Sequence, residues 1–169
     1  MACSLVVRGN APFIIGWLSH QSQVWSGKES EKKAANRIWE RASTPAHHMR
    51  GREAAGAGMI KIAVVTPVYN GGKFLATAME AVQRQTYPNL VHVVLDNAST
   101  DDTAEIILRY ANGRVPLMTK RNEALLKAPA NWSEAVRMVP DDVAYFKILC
   151  ADDAMSPDAM EKMARAAQS

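Results

Sequence analysis

Four short β-rich runs, each followed by a helical stripe, constrain this chain more than any other feature. Ile60-Lys61-Ile62-Ala63-Val64-Val65-Thr66 is nearly all apolar, the pattern of a strand buried on both faces. Phe74, Leu75, Ala78, Met79 and Val82 then recur at helical spacing, which predicts an amphipathic helix over about 73–85. Tyr87-Pro88-Asn89 is a turn signal, and the next strand is expected at 91–95. Ser99 is read as the N-cap of a helix near 101–111, with Asp102 three residues on, and Asn112-Gly113 ends that helix. A third strand is expected at 114–119, a helix over 130–139 closed by Pro140, and a fourth strand at 144–149. Ser156-Pro157-Asp158 reads as the start of a last helix. Alternation of this kind predicts an α/β sandwich with a mostly parallel sheet and helices on both faces.

Residues 1–58 break the pattern. Helical spacing is fair only around Glu29–Arg41, and the stretch from Ser43 to Gly58 is rich in Ala, Gly, His and Arg without a sustained period. This part is read as an irregular leader. Met59 opens directly onto the first strand, so the expectation is a natural start at Met59 and an upstream extension before it. Charge divides the same way. The leader is net +4 (8 basic against 4 acidic residues) and the remainder −1 (12 against 13). The basic balance thus belongs to the leader, and composition gives the folded part no basic face for nucleic acid. Cys3 and Cys150 are too few and too far apart for a disulfide framework, which points to a reducing, cytoplasmic setting. The longest early apolar stretch, Ala11–Leu18, is interrupted by Pro12 and Gly16 and is too short to span a bilayer, which takes ~20 apolar residues. Peripheral attachment to the inner membrane face stays open.

The loops after the strands discriminate among nucleotide folds. A phosphate loop of the form G-x-x-x-x-G-K-[ST] is excluded, because Gly72-Lys73 is preceded by Pro67 in place of the first Gly and followed by Phe74. The G-x-G-x-x-G fingerprint after the first strand is absent as well. Gly71-Gly72 is a turn into the helix or a phosphate cradle. Acids sit at strand ends, where open α/β sheets bind ligands: Asp96 after Val94-Leu95, and Asp152-Asp153 after Ile148-Leu149-Cys150-Ala151. Two adjacent carboxylates repel each other and are costly to desolvate. Either solvent stays near them or a cation neutralises them, and hard oxygen ligands beside phosphate suit Mg²⁺ or Mn²⁺.

Several segments resemble one family in the right order. Val64-Val65-Thr66-Pro67-Val68-Tyr69-Asn70 is similar to its opening strand and loop, and Gln85-Thr86-Tyr87-Pro88-Asn89 to its next turn. Asp96-Asn97-Ala98-Ser99-Thr100-Asp101-Asp102-Thr103 is similar to a D-(D/N)-x-S-x-D-x-T signature. Asn131-Trp132 resembles its Asn-bearing helix, and Tyr145 to Asp153 the strand leading to its metal-binding acids. The family is that of family 2, GT-A-type glycosyltransferases, and the resemblance covers about residues 60–165.

The resemblance implies a GT-A-like (Rossmann-like) donor half that moves a sugar from a nucleotide-sugar to an acceptor hydroxyl with inversion. Such enzymes serve cell-wall or polysaccharide biosynthesis. Pro67, Val68 and Tyr69 would line the base and ribose pocket. Asp96 would hydrogen-bond the base or ribose, with Asn97 beside it. Asp152 would lie near the ribose. Asp153 would ligate the Mg²⁺ or Mn²⁺ on the diphosphate. Ala151 stands where a literal D-x-D has its first acid. The general base belongs to the acceptor half, beyond these acids, so no catalytic residue is assigned. The chain is expected to be a fragment truncated before that half, with little activity alone and its last strand left as an open sheet edge. The acceptor is a sugar, lipid-linked or protein hydroxyl. A non-catalytic nucleotide-binding module and, less well supported, a nucleotidyltransferase are the rival readings.

Other residues are given plainer roles. His47-His48 is read as unligated, His92 as a hydrogen-bonded strand histidine, Cys150 as a reduced packing residue and Trp132 as a packing anchor. Lys120-Arg121 either meets diphosphate or sits in solvent.

Overall fold

The computed structural model of the chain describes residues 7–8 and 59–168. The elements in order are β1 (Val7–Arg8), β2 (Ile62–Val68), α1 (Leu75–Gln83), β3 (Leu90–Asp96), α2 (Thr103–Arg109), β4 (Leu117–Arg121), α3 (Ala128–Arg137), β5 (Tyr145–Ile148) and α4 (Ala159–Gln168). They build a five-stranded sheet in the order β1-β5-β2-β3-β4. The four strands from β2 onward are parallel and β1 runs antiparallel to β5.

Every residue of β2 and of β3 is buried, which is why both read as continuous runs without alternation. Side chains of alternate parity feed the two faces. Ile62, Val64 and Leu90 pack with Ala78 and Val82 of α1 and Met160 and Ala164 of α4. Further along the same face, Val68 and Val94 pack with Leu75 and Met79 of α1 and Ile106 and Ile107 of α2. On the other face Ala63, Val65, Val91, Val93 and Leu95 meet Ala135 of α3. The helices therefore cover both faces, as the alternation predicts.

Pro67 sits in a central strand, where a missing N–H is normally costly. Odd residues of β2 face β5: Leu149 N–H donates to the Val65 carbonyl. The β2–β5 register ends at Val65↔Ile148, whereas pairing with β3 continues to Val68↔Asp96. Pro67 thus turns its absent donor toward a side on which the ladder has already stopped.

Several boundaries differ from expectation. The third strand begins at Leu117 instead of 114. Val115 N–H is taken by Gln83 Oε1 at 2.9 Å, and Pro116 has no donor and offers β3 only its carbonyl, which accepts His92 N–H at 2.8 Å, so the paired register begins at Leu117. Phe74 is no part of the buried stripe; it is the N-cap residue of α1 and 55% exposed. The last helix starts at Ala159, after a tight turn in which Ser156 Oγ donates to Asp158 Oδ1 at 2.7 Å. The expectation of an open edge at the last strand is corrected: β1 pairs with β5 through Val7↔Phe146 and Arg8↔Tyr145. The leader is therefore not wholly irregular. The helical spacing at 29–41, His47-His48, Cys3 and the Ala11–Leu18 stretch lie outside the described residues. Among the described residues no helix is long and apolar enough to cross a membrane.

Candidate functional site

The carboxyl ends of β2, β3 and β5 gather the residues singled out in the sequence. Register places Val68 beside Asp96, so the 67–69 and 96–97 segments are neighbours. On the other side, the chain leaving β5 passes the turn after β2. A Cβ on Gly71 would lie 3.6 Å from Ala151 Cβ and only 2.5 Å from Val68 Cγ2. Of the seven residues, Pro67, Val68, Asp96 and Asn97 are buried, Tyr69 and Asp152 are exposed, and Asp153 is half-buried. Tyr69 and the two acids are thus the ones presented at the surface of this edge.

The S-x-D-x-T part of the 96–103 signature grips the turn opposite. Asn70 N–H donates to Ser99 Oγ at 2.9 Å, Gly71 N–H to Thr103 Oγ1 at 2.8 Å and Gly72 N–H to Asp101 Oδ2 at 2.8 Å. Three successive backbone donors are consumed by three successive signature side chains. This decides between the two readings of Gly71-Gly72: the pair is a turn, and its N–H groups are occupied. It also corrects the cap. Ser99 serves the neighbouring turn, Asp102 is the N-cap residue without a side-chain bond, and Asp101 Oδ1 accepts the Thr103 N–H. Asn70 (φ 49°) and Ala98 (φ 59°) both adopt left-handed backbone. Asn70 Oδ1 is further tied to Thr100 N–H at 2.8 Å, so the two strained turns hold each other.

Asp96 has no exposed surface. Its Oδ1 accepts Ser99 N–H at 2.9 Å and its Oδ2 meets Arg121 Nη1 at 3.1 Å. Burial pushes its carboxyl above the ordinary range, against the Ser99 hydrogen bonds and the Arg121 charge, while Asp101 pushes the same way as burial. Arg121 also donates to the Ser99 carbonyl at 2.6 Å. Arg121 is thus committed to the fold, whereas Lys120 is exposed. Asn97 is equally engaged. Its Nδ2 donates to the Leu126 carbonyl and its Oδ1 accepts Leu126 N–H, each at 2.9 Å.

Asp153 and Asp152 supply hard carboxylate oxygens in the turn after β5, where Asp153 N–H donates to the Cys150 carbonyl at 3.0 Å. Among the described residues no three His, Cys, Asp or Glu side chains converge as a metal cage. One or two carboxylates completed by substrate phosphates is the usual way Mg²⁺ is held, so the donor set fits that manner of binding. Cys150 is half-buried and forms no disulfide among the described residues. His92 is fully buried beneath the sheet's helical cover, with Nε2 at 2.9 Å from Thr66 Oγ1. A cavity of about 300 Å³ lies at the opposite, amino-terminal end of the strands, between Met59, Tyr87, Pro88 and α4. It holds none of the residues above.

The family model for glycosyl transferase family 2 matches residues 63–169. The chain belongs to this family. Among curated relatives it is 29% identical over 104 residues to the glycosyltransferase GlyG of Streptococcus pneumoniae, covering 60% of this chain and 33% of that protein. It is 32% identical over 102 residues to chondroitin synthase of Escherichia coli, covering 59% and 14%. The chain thus spans a third or less of the length of these relatives. Among solved structures, Staphylococcus aureus TarS 1–349 in complex with UDP superposes with a TM-score of 0.58 at 23% identity, covering 63% of this chain and 31% of that one. A Pyrobaculum calidifontis mannosyltransferase in complex with GDP-Man and Mn²⁺ gives 0.55 at 20% identity, covering 82% and 40%. These similarities place the family 2 chain in the GT-A-like α/β class. The signals missed in the sequence are Asn122 and the partnership of Arg121 with Asp96: both residues sit at the end of β4 outside any recognised motif, and only the β3–β4 pairing brings them to Asp96.

Proposed function

We propose that this family 2 chain forms the donor-binding part of a glycosyltransferase that moves a sugar from a nucleotide-sugar to an acceptor hydroxyl. The observation that carries the reading is that Tyr69 follows β2 and Asp152-Asp153 follow β5, so that they stand after the carboxyl ends of adjacent parallel strands, the place where open α/β sheets bind nucleotides. Neighbours of the same fold were solved with UDP, UDP-GlcNAc and GDP-Man, which supports a nucleoside-diphosphate sugar as donor. Tyr69 would face the base and ribose over a floor of Pro67 and Val68. Asp152 would stand near the ribose. Asp96 and Asn97, both buried, would shape the pocket from beneath. Asp153 would hold Mg²⁺ or Mn²⁺, which when bound neutralises the charge growing on the departing diphosphate. Transfer would invert the anomeric centre, with the acceptor hydroxyl deprotonated by a base outside residues 59–168. Residues 59–169 are the donor part in this reading. A cytoplasmic location accords with two widely separated thiols.

Calorimetric titration of the full chain with UDP, GDP and dTDP, with and without Mn²⁺, tests the reading beside Asp153→Ala. Metal-dependent binding that the variant weakens by about tenfold or more is expected, the scale of one lost charge-assisted contact. Absence of binding to a folded sample would sink the donor reading. Binding without any turnover in the presence of acceptor sugars would favour the non-catalytic module instead.

A further inference from the structure

The segment between β4 and α3 is held to the sheet by side-chain amides. Glu123, Ala124 and Leu125 are exposed and Leu126 only half-buried, so apolar packing gives the segment little anchorage. Its first residue, Asn122, donates its N–H to the Asp96 carbonyl at 2.8 Å. The Asn122 side-chain Nδ2 then donates twice, to Asn97 Oδ1 at 2.9 Å and to Asn131 Oδ1 at 3.0 Å. Asn97 in turn clasps Leu126 through both its N–H and its carbonyl.

The polarity of this network is forced. Leu126 N–H can only donate and its carbonyl can only accept, which fixes which end of Asn97 faces which. With Asn97 Oδ1 turned to Leu126 N–H, Asn122 must present Nδ2 to it, and Asn131 must present Oδ1 to the same Nδ2. Asn97 and Asn131 are 3% and 4% exposed. A carboxylate at 122 would bring oxygen against two amide oxygens, and an alanine would take the donor from Asn131 Oδ1 and leave Asn97 Oδ1 with Leu126 N–H alone. The geometry demands an amide at 97 and a donor at 122, and it demands a side-chain acceptor at 131, a requirement that neither turn propensity nor helix capping imposes on Asn131, which lies within α3.

We propose that Asn122 and Asn131 are positioning residues: with Asn97 they form an amide relay that fixes segment 122–127, and thereby the wall of the nucleotide cleft beside the carboxyl end of β3. The relay rests, for its connection to nucleotide, on the donor-site reading above. Asn97 in this account acts through the segment and touches no ligand itself.

The test uses the full chain, wild type against Asn122→Ala and Asn122→Asp. Backbone amide exchange at Leu126 is followed by NMR, and UDP, GDP and dTDP are titrated with Mn²⁺. Loss of the relay is expected to speed Leu126 exchange by about tenfold and weaken nucleotide binding by a similar factor, the equivalent of one buried hydrogen bond, with the thermal midpoint little changed. In Asn122→Asp, protonation of the carboxyl restores one donor, so the ratio of variant to wild-type exchange at Leu126 falls toward unity as pH is lowered. A purely space-filling role would leave that ratio independent of pH. Unchanged Leu126 exchange in both variants overturns the relay. Faster exchange with unchanged nucleotide affinity overturns its link to the cleft. A wild-type chain that binds no nucleoside diphosphate overturns the donor reading and that link together, and the exchange measurement then decides the clamp by itself.

Discussion

His92 shows what a single side chain costs when a strand is buried on both faces. Its ring lies wholly out of water, with one nitrogen near Thr66 Oγ1 and Nδ1 without a partner among the described residues. Burial lowers its pKa from 6.5 to about 3. Above 6.5 neither the folded nor the unfolded chain protonates it, and there is no penalty. Below 6.5 the unfolded chain takes up a proton that the folded one refuses, so stability falls by up to about 1.4 kcal/mol per pH unit until the folded ring titrates near 3. Asp96 works with the opposite sign, since its raised pKa lets the folded state protonate first as pH falls. Urea unfolding at pH 7, 6 and 5 should therefore show a shallower loss for His92→Gln than for wild type. Parallel slopes would remove His92 from the account. At the same scale, the Arg121–Asp96 pair explains why a carboxylate with no exposed surface is tolerated: removing either partner alone would strand the other.

Among the elements, the turn from β2 into α1 is the one most dependent on a distant segment. Its N–H groups at 70, 71 and 72 have Ser99, Thr103 and Asp101 as acceptors, about thirty positions away in sequence. Thr103 is fully buried, so Thr103→Val would leave the Gly71 N–H without an acceptor at a cost of about 1–3 kcal/mol, while Thr103→Ser keeps the hydroxyl and most of the stability. Chemical denaturation of the two variants separates hydrogen bonding from side-chain volume; equal losses would deny the hydroxyl its role. The element boundaries that sequence reasoning misplaced have equally local causes. Pro116 delays β4, and the N–H of Val115 is claimed by Gln83 before the ladder begins. Phe74 satisfies the helical spacing of α1 and yet lies outside the buried stripe, because α1 begins one residue later.

At the scale of the molecule, one parallel sheet aligns every strand end that carries an acid, and the antiparallel β1 covers part of its β5 edge. An uncovered edge invites pairing with another chain. Deleting the first eight residues should raise hydrogen exchange at Tyr145 and Phe146 and increase self-association at high concentration, measured by exchange mass spectrometry and sedimentation. Unchanged exchange at both positions would show that β1 contributes no protection. The edge matters for function because β5 leads directly into Asp152-Asp153, the acids assigned to donor and cation in the proposed reaction.

The alternation of apolar strands and helical stripes was sufficient to determine an α/β sandwich, and the acids placed after those strands were sufficient to determine which end of the sheet to examine. Both follow from local periodicity, which a sequence displays directly. Which of those residues are exposed was decided only by tertiary structure. Asp96 and Asp153 look alike as strand-end acids. One is buried against Arg121, delivered by the neighbouring β4, while the other remains half-exposed in a turn. The same holds for Ser99, which carries the local signature of a helix cap but bonds Asn70 across the turn, and for Asn122, which no motif marks. A hydrogen bond between residues twenty-five or more apart depends on strand register, and register is fixed by the packing of the whole sheet rather than by any one segment.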